Sequence, residues 1–344
     1  MTDARGISEP LGRPGQPILD RLAFERLNAA HRREIKLHCY RMMGSLCEAD
    51  DLVQDTFLRA WRARSQFDGR GSLRGWLYTI ATNSCLNAIK ARSSAYRIIQ
   101  QPERPPSNGP ATGGPAAELT WLEPYPDAEL PDLADDKPGP EARYEAREAV
   151  QLAFLAAIQL LPPKQRAALL LCDVLGWSAV ETAQLLGGST ASINSAVQRA
   201  RATLGERYPQ GRPSQPSRPD PQEALLLERY MQAWQAANLD GLIELLKEDA
   251  IYHMPPWREW YRGREAIWAF FETVWGNFAG YRAAATKANG QPAVGVYALS
   301  HQDRVWRSHS LHVIEPAEGT IASLAIYVPP LGPTLFAGFG LPPA

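Results

Sequence analysis

Residues 161–204 read LPPKQRAALLLCDVLGWSAVETAQLLGGSTASINSAVQRARATL. The run Gln165–Val174 is apolar and helical in period, and Gly176 ends it. Ser178 followed three residues later by Glu181 spells a capping box, in which the hydroxyl takes the amide of the third helical residue and the carboxylate takes the amide of the cap. That short helix stops at Gly187-Gly188, and Ser189 or Thr190 opens a longer one that reaches about Arg207. Helix, glycine turn, helix is the helix-turn-helix layout. In the last helix Ile193, Val197, Ala200 and Leu204 recur at i, i+4, i+7 and i+11 and form one buried stripe. The opposite arc carries Thr190, Asn194, Ser195, Gln198, Arg199 and Arg201. Asn and Gln can pair with adenine through two hydrogen bonds, and Arg with guanine or phosphate. A plain helical hairpin with a solvated polar face has the same periodicity. The capping box, the glycine turn and the basic end favour DNA.

The surroundings of this motif divide the chain. At ~150 residues per domain, 344 residues imply two or three domains. The net charge of −1 conceals a segregation: residues 21–94 hold 13 Lys and Arg against 7 Asp and Glu, and residues 95–140 hold 3 against 8. A basic block beside an acidic spacer points to a polyanionic partner. Residues 100–140 and 209–221 are rich in Pro, Gly and polar residues and read as flexible spacers. The expected organisation is a disordered tail at 1–20, a helical block at 21–94, a linker at 95–140, the helix-turn-helix block at 141–208, a second linker at 209–221 and a mixed block at 222–344. Four cysteines without a C-x-x-C pair read as free thiols in a reducing compartment. His38, Cys39 and Cys47 lack a second ligand pair of zinc-like spacing, so no metal is expected. No apolar run approaches the ~18 residues of a membrane span, and no apolar leader opens the chain, so the expected compartment is the cytoplasm.

In block 21–94, Glu48-Ala49-Asp50-Asp51 opens a helix with acids in its first turn, where the helix dipole favours them. Val53, Phe57, Ala60 and Trp61 form its buried face; Asp51, Asp55, Arg59 and Arg62 point outward. After the loop Phe67–Ser72, a second helix runs from about Leu73 to Arg92, with Ser72 as its cap. Thr79, Asn83, Asn87 and Lys90 share one polar stripe, with Trp76 one turn before it. Ring, amide and cation on one face suit unstacked single-stranded DNA, although a core tryptophan beside a wet stripe has the same spacing.

Block 222–344 alternates differently. Residues 222–247 and 263–275 look helical; 249–254, 281–288, 292–300, 304–314 and 320–328 look like strands. The order suggests a curved antiparallel sheet wrapped by helices.

Three resemblances join these readings. Residues 161–204 resemble region 4 of the sigma-70 family, above all its extracytoplasmic-function group. CEADDLVQDTFLRAWRA (47–63) resembles region 2.2, and FDGRGSLRGWLYTIATNSCLNAIKAR (67–92) resembles regions 2.3 and 2.4. AWQAANLDGLIELLKEDAIYHMPPWREWYRGREAIWAFF (233–271) resembles the SnoaL-like members of a cone-shaped α+β fold. The implied fold is multidomain: two all-α sigma modules, a region 2 bundle and a region 4 helix-turn-helix, followed by the α+β cone.

The resemblance implies a transcription initiation factor whose partners are core RNA polymerase, through its beta-prime clamp and beta flap, and promoter DNA. It places Asp51, Gln54, Asp55, Phe57 and Arg59 at or behind the polymerase contact. It places Asp68, Arg70, Arg74, Trp76, Asn83, Asn87, Lys90 and Arg92 on the melted minus-ten element. It places Thr190, Asn194, Ser195, Gln198, Arg199 and Arg201 on the minus-thirty-five element. The acidic linker would thread near the polymerase active centre, where its charge could mimic RNA. No catalytic residue and no cofactor are expected. The cone would contact the sigma modules within the chain and tune them in cis, or bind a small ligand in a pocket lined by His253, Trp257, Tyr261 and Tyr297; a catalytic pocket would need an acid/base pair, for which His253 with Asp249 or Glu272 is the candidate. The alternatives are a SnoaL-like small-molecule enzyme and a ligand-sensing helix-turn-helix regulator, neither of which needs a polymerase-docking helix.

Overall fold

The computed structural model describes residues 20–67, 72–91, 98–99, 105–116, 120–131, 151–207 and 221–344. The first module packs three helices: α1 (Arg21–Met43), α2 (Leu46–Ala63) and α3 (Leu73–Ala91). Caps fix their ends. Asp20 Oδ1 accepts from Ala23 N at 2.7 Å, and Ser72 Oγ accepts from Gly75 N at 2.9 Å. Gly44, at φ 73°, ends α1 in the left-handed conformation and turns the chain into α2. α2 begins at Leu46 with Ser45 as cap, two residues before the acids that mark it in the sequence. Ile35, Tyr40, Met42, Val53, Leu77 and Ala81 fill the core.

The second module consists of α4 (Leu152–Gln159), α5 (Pro163–Leu169), α6 (Ala179–Leu186) and α7 (Thr190–Arg207). Pro163 occupies the first turn of α5, where a missing amide costs nothing. The expected helix Gln165–Val174 starts two residues early and ends in a π-helical turn, Leu170–Val174. The Ser178–Glu181 capping box forms in full. Ile193, Val197 and Ala200 are buried, as the stripe requires, while Leu204, its last member, is half-buried near the end of the helix. This module lies directly against the first: Trp177 meets Tyr78 of α3 edge-on at 6.3 Å.

Between them, β1 (Ile98–Ile99) pairs in parallel with β2 (Thr120–Trp121). The cone domain follows, with α8 (Pro221–Gln235), α9 (Leu239–Glu244), β3 (Leu246–His253), β4 (Trp260–Arg262), α10 (Arg264–Val274), β5 (Gly280–Ala288), β6 (Gln291–Leu299), β7 (Trp306–Ala317), β8 (Thr320–Tyr327) and α11 (Leu331–Leu335). The single helix expected over 222–247 is two: Ala237 takes φ 51°, and Asn238 caps α9 by accepting from Gly241 N at 3.0 Å. The sheet order is β4-β3-β8-β7-β6-β5. It is mixed rather than antiparallel, because β3 and β8 run parallel. Chain order alone cannot reveal a pairing between the first and last strands of a domain.

Side chains alternate across the sheet. On one face Tyr252, Tyr261, Val294 and Ile314 of the sheet pack with Tyr230 and Trp234 of α8 and Phe270 of α10. The other presents Ala293, Leu311, Val313, Ala325 and Tyr327, which join the core of the two helical modules. The linker is the intermediary. Trp121, Leu122 and Tyr125 are buried, Tyr327 Oη donates to Leu122 O at 2.9 Å, and Gly290 N donates to Asp127 Oδ1 at 2.8 Å. Lys36 of α1 bonds Glu129 at 2.5 Å and Asp50 at 2.9 Å. Upstream, Ser107 N donates to Trp260 O at 2.8 Å, and Ala116 N to Pro256 O at 2.8 Å. The expectation of a flexible spacer is therefore corrected for the described linker residues, which dock because a few apolar side chains find partners far along the chain. Glu123 and Glu129, two of the acids expected to mimic RNA, are engaged within the molecule.

Candidate polymerase and nucleic-acid interfaces

α2 turns one polar face outward. Asp51, Gln54 and Arg59 are exposed. Asp55 is half-buried and held twice, by Arg59 Nε at 2.6 Å and by Ser84 Oγ of α3 at 3.1 Å. Phe57 lies on the buried side, as its place in the apolar stripe requires: it is 5% exposed, with its ring 6.3 Å from Phe24 behind the polar face. Its neighbour Leu58 is 55% exposed and shares the outer face with Asp51, Gln54 and Arg62. Sequence reasoning missed Leu58, since an apolar residue in a helix is ordinarily counted as core.

On α3, Asn83, Asn87 and Lys90 stand exposed in one row, with Thr79 half-buried above them. Trp76 is half-buried against Phe67, with ring centres 5.4 Å apart. Arg74 Nε donates to Glu34 Oε2 at 2.8 Å, and its guanidinium lies 5.1 Å from the Tyr78 ring. Burial raises the Glu34 carboxyl, but hydrogen bonds from His31 and Arg74 outweigh it and bring the group below its ordinary value. Asp68, Arg70 and Arg92 lie outside the described residues.

On α7, Thr190, Asn194, Ser195, Gln198 and Arg199 are exposed. Arg201 is exposed too, but its fork grips Asp173 in the π turn at 2.8 and 2.9 Å. That bidentate pair braces the last helix against the first part of the helix-turn-helix.

The expected cone pocket does not assemble. Tyr261 stacks on Tyr252 at 5.8 Å on the inner face, and Trp257 packs against the same cluster. Tyr297 lies on the outer face, 5.1 Å from Phe336, with its hydroxyl donating to Pro342 O at 2.7 Å. His253 is buried without a hydrogen-bond partner on either nitrogen, and burial pushes it down to about 4. Asp249 and Glu272 are both exposed and supply it with none. The four fail to converge because β-strand neighbours point to opposite faces. The inner face carries a polar chain instead: Tyr230 Oη to His312 Nδ1 at 2.7 Å, His312 Nε2 to Ser310 Oγ at 2.7 Å, and Ser310 Oγ to His309 Nδ1 at 3.1 Å. Burial holds His312 well below its ordinary value. In the first module, His38 Nε2 is bonded to Thr82 Oγ1 at 2.9 Å, Cys39 is buried and Cys47 is exposed. Among the described residues no group of three potential ligands could hold a metal ion, and no helix is long and apolar enough to cross a membrane.

Comparison with known proteins matches residues 27–95 to sigma-70 region 2, residues 151–204 to sigma-70, region 4, and residues 227–324 to the SnoaL-like domain. The chain is 39% identical over 353 residues to the ECF RNA polymerase sigma factor SigG of Mycobacterium tuberculosis, covering 99% of this chain and 90% of that one. It is 30% identical over 227 residues to the ECF RNA polymerase sigma factor SigJ of the same organism, covering 65% of this chain and 62% of the relative. The crystal structure of that SigJ superposes with a TM-score of 0.58 at 20% identity, over 92% of this chain and 99% of the other, and so shares the fold.

Proposed function

We infer, from the premise that this chain belongs to the extracytoplasmic-function sigma-70 family, that it directs core RNA polymerase to promoters and supports their melting. The observation that carries this is the pair of exposed polar faces on two helical modules: Asp51, Gln54 and Arg59 on α2, and Thr190, Asn194, Gln198 and Arg199 on α7. The first faces the beta-prime clamp; the second reads the minus-thirty-five duplex, with the beta flap behind it. Asn83, Asn87, Lys90 and the Trp76–Phe67 pair take the melted strand, with Asp68, Arg70 and Arg92 completing that set. Phe57 and Asp55 support the α2 face, and Arg201 braces α7 while its free edges meet phosphate. The work is done in the cytoplasm, where the polymerase is. The functional units are 21–94, 141–208 and 222–344.

The family's function is not catalytic, and the cone acts here as a regulator in cis. Its outer face and the linker bury Leu122 and Tyr125 against the first module, which holds the factor in a compact state. The inner face is lined by touching rings, including Trp234 on Trp275 at 4.7 Å, an arrangement suited to a scaffold. Run-off transcription with core enzyme tests the reading. The full chain with core should give a promoter-specific transcript that neither gives alone, and truncation at about residue 210 should change its amount. Absence of transcript from every tested promoter would refute the sigma assignment, and equal activity without the cone would refute control in cis.

A further inference from the structure

α1 and α2 meet at a corner, and helices meeting at a corner leave unpaired carbonyls at the end of one and unpaired amides at the start of the next. Groups from outside the first module occupy both. At the end of α1, Arg166 of α5, buried at 7% exposure, donates to Met42 O, and Gln159 Nε2 of α4 donates to Arg41 O at 2.9 Å. The same guanidinium bonds Gln159 O at 2.8 Å, Gln159 Oε1 and Leu161 O at 3.3 Å, so it is locked into the turn of its own module while it reaches across. At the start of α2 the linker residue Glu123 accepts from Leu46 N at 2.6 Å and stands 3.4 Å from Ser45 Oγ, while Glu123 N donates to Gly44 O at 3.1 Å. Residues 41–46 are thus gripped from two sides by hydrogen bonds, one side carrying a cation to the negative end of a helix.

We propose that this corner is the clasp that holds region 4 against region 2, that Arg166 is its working residue, and that engaging a promoter requires Arg166 to leave the end of α1. The proposal rests on the sigma reading and adds its point of control. Elements centred near minus ten and minus thirty-five are about 25 base pairs apart, roughly 85 Å of duplex at 34–36 Å per turn. Two modules in direct contact cannot reach both, since even α1, with 23 residues, is only about 35 Å long. The chemistry of the clasp suits release. A guanidinium and backbone carbonyls form strong bonds when shielded from water, yet each is well solvated once parted. The clasp is not the whole contact: apolar residues of both modules, Trp177 against Tyr78 among them, belong to one buried cluster, so opening also parts an apolar seam.

The test uses the full chain, measured by small-angle scattering, by hydrogen exchange at residues 41–46, and by run-off transcription at limiting core enzyme. Arg166→Met should raise the open fraction about tenfold, the effect of losing roughly one charged hydrogen bond. It should also speed exchange at the corner and increase transcript. Arg166→Lys, which keeps the cation but loses the fork, should fall between. Because Arg166 also serves its own module, Glu123→Ala provides a second arm that leaves region 4 untouched and should expand the molecule in the same direction. A Glu123→Ala or folded Arg166→Met protein as compact as the wild type, with unchanged exchange at 41–46, would overturn the clasp. Failure of the sigma reading would look different: no transcript from the wild type with core, whatever the compaction data show.

Discussion

Asn289 holds Tyr125 by both polar groups of its main chain: Tyr125 N donates to Asn289 Oδ1 at 2.8 Å, and Asn289 N donates to Tyr125 O at 2.9 Å. The two residues are 164 positions apart, and the β5–β6 turn of the cone thereby reads the linker as if it were a neighbouring strand. Asn289 sits at φ 58°, a left-handed conformation that asparagine tolerates and alanine does not. Asn289→Ala should therefore weaken linker docking by about 1–3 kcal/mol through the lost buried hydrogen bond. Protease cleavage within residues 121–129 should accelerate, while the helical modules keep their own melting transition.

Linker docking should tighten as pH falls. Burial raises the Glu123 carboxyl above its ordinary value, and the amide of Leu46 and the hydroxyl of Ser45 only partly oppose this; burial likewise raises Asp127 against its bond from Gly290. Groups raised in the docked state bind protons more tightly there. Their contribution is fully present below the ordinary carboxylate range and is lost as pH rises through the raised values. Glu123→Gln keeps an acceptor for Leu46 N without the charge, so it should dock more tightly than wild type at neutral pH and flatten the pH profile. Hydrogen exchange at residues 121–129, followed from pH 5 to 8, measures both effects; a wild-type profile that tightens towards pH 8 would contradict the sign.

Leu58 and Phe57 are adjacent and should behave oppositely. Leu58→Asp adds a charge to an exposed position and should leave thermal stability within about 0.5 kcal/mol of wild type while lowering affinity for core polymerase. Phe57→Ala empties a core site and should cost about 3–5 kcal/mol of stability. Chemical denaturation and a core-binding titration on both variants separate surface from scaffold.

The α7 residues should divide by type. Asn194→Ala should cost about 1–3 kcal/mol and relax preference at a single base pair. Arg199→Ala should weaken all sequences alike and reduce the slope of log affinity against log salt by about one if it contacts phosphate. Binding of a labelled duplex to the holoenzyme at several salt concentrations resolves the two.

What could be read from sequence follows from how far apart the determinants lie. The Ser178–Glu181 box and the apolar stripe are local; the box formed in full, and the stripe formed at Ile193, Val197 and Ala200, with Leu204 only half-buried at its end. Tyr125 and Leu122 could not be read as structural. They stand alone among prolines and acids, with no period, and their partners Asn289 and Tyr327 lie 164 and 205 residues onward. The parallel β3–β8 pairing hid for the same reason. The cone pocket failed on a finer point: His253 and Tyr261 sit on paired strands, but His253 faces Trp260 and Tyr252 faces Tyr261, so the two residues project to opposite sides. Leu58 and Phe57 differ by a single step of about 100° around a helix, and only the packed neighbours of α2 decide which of them is covered.

The bond from Tyr327 Oη to Leu122 O has a consequence for the order in which the protein is made. β8 is the last strand of the sheet, so the surface that receives the linker does not exist until nearly the whole chain has left the ribosome. At about 5–20 residues per second, the roughly 120 residues between the end of α7 and Tyr327 take on the order of 6–24 s to synthesise. Every new molecule thus passes through an interval in which both sigma modules are complete and the cone's hold on the linker is not, and a gene that slows translation late in its reading frame would lengthen that interval without changing a single amino acid.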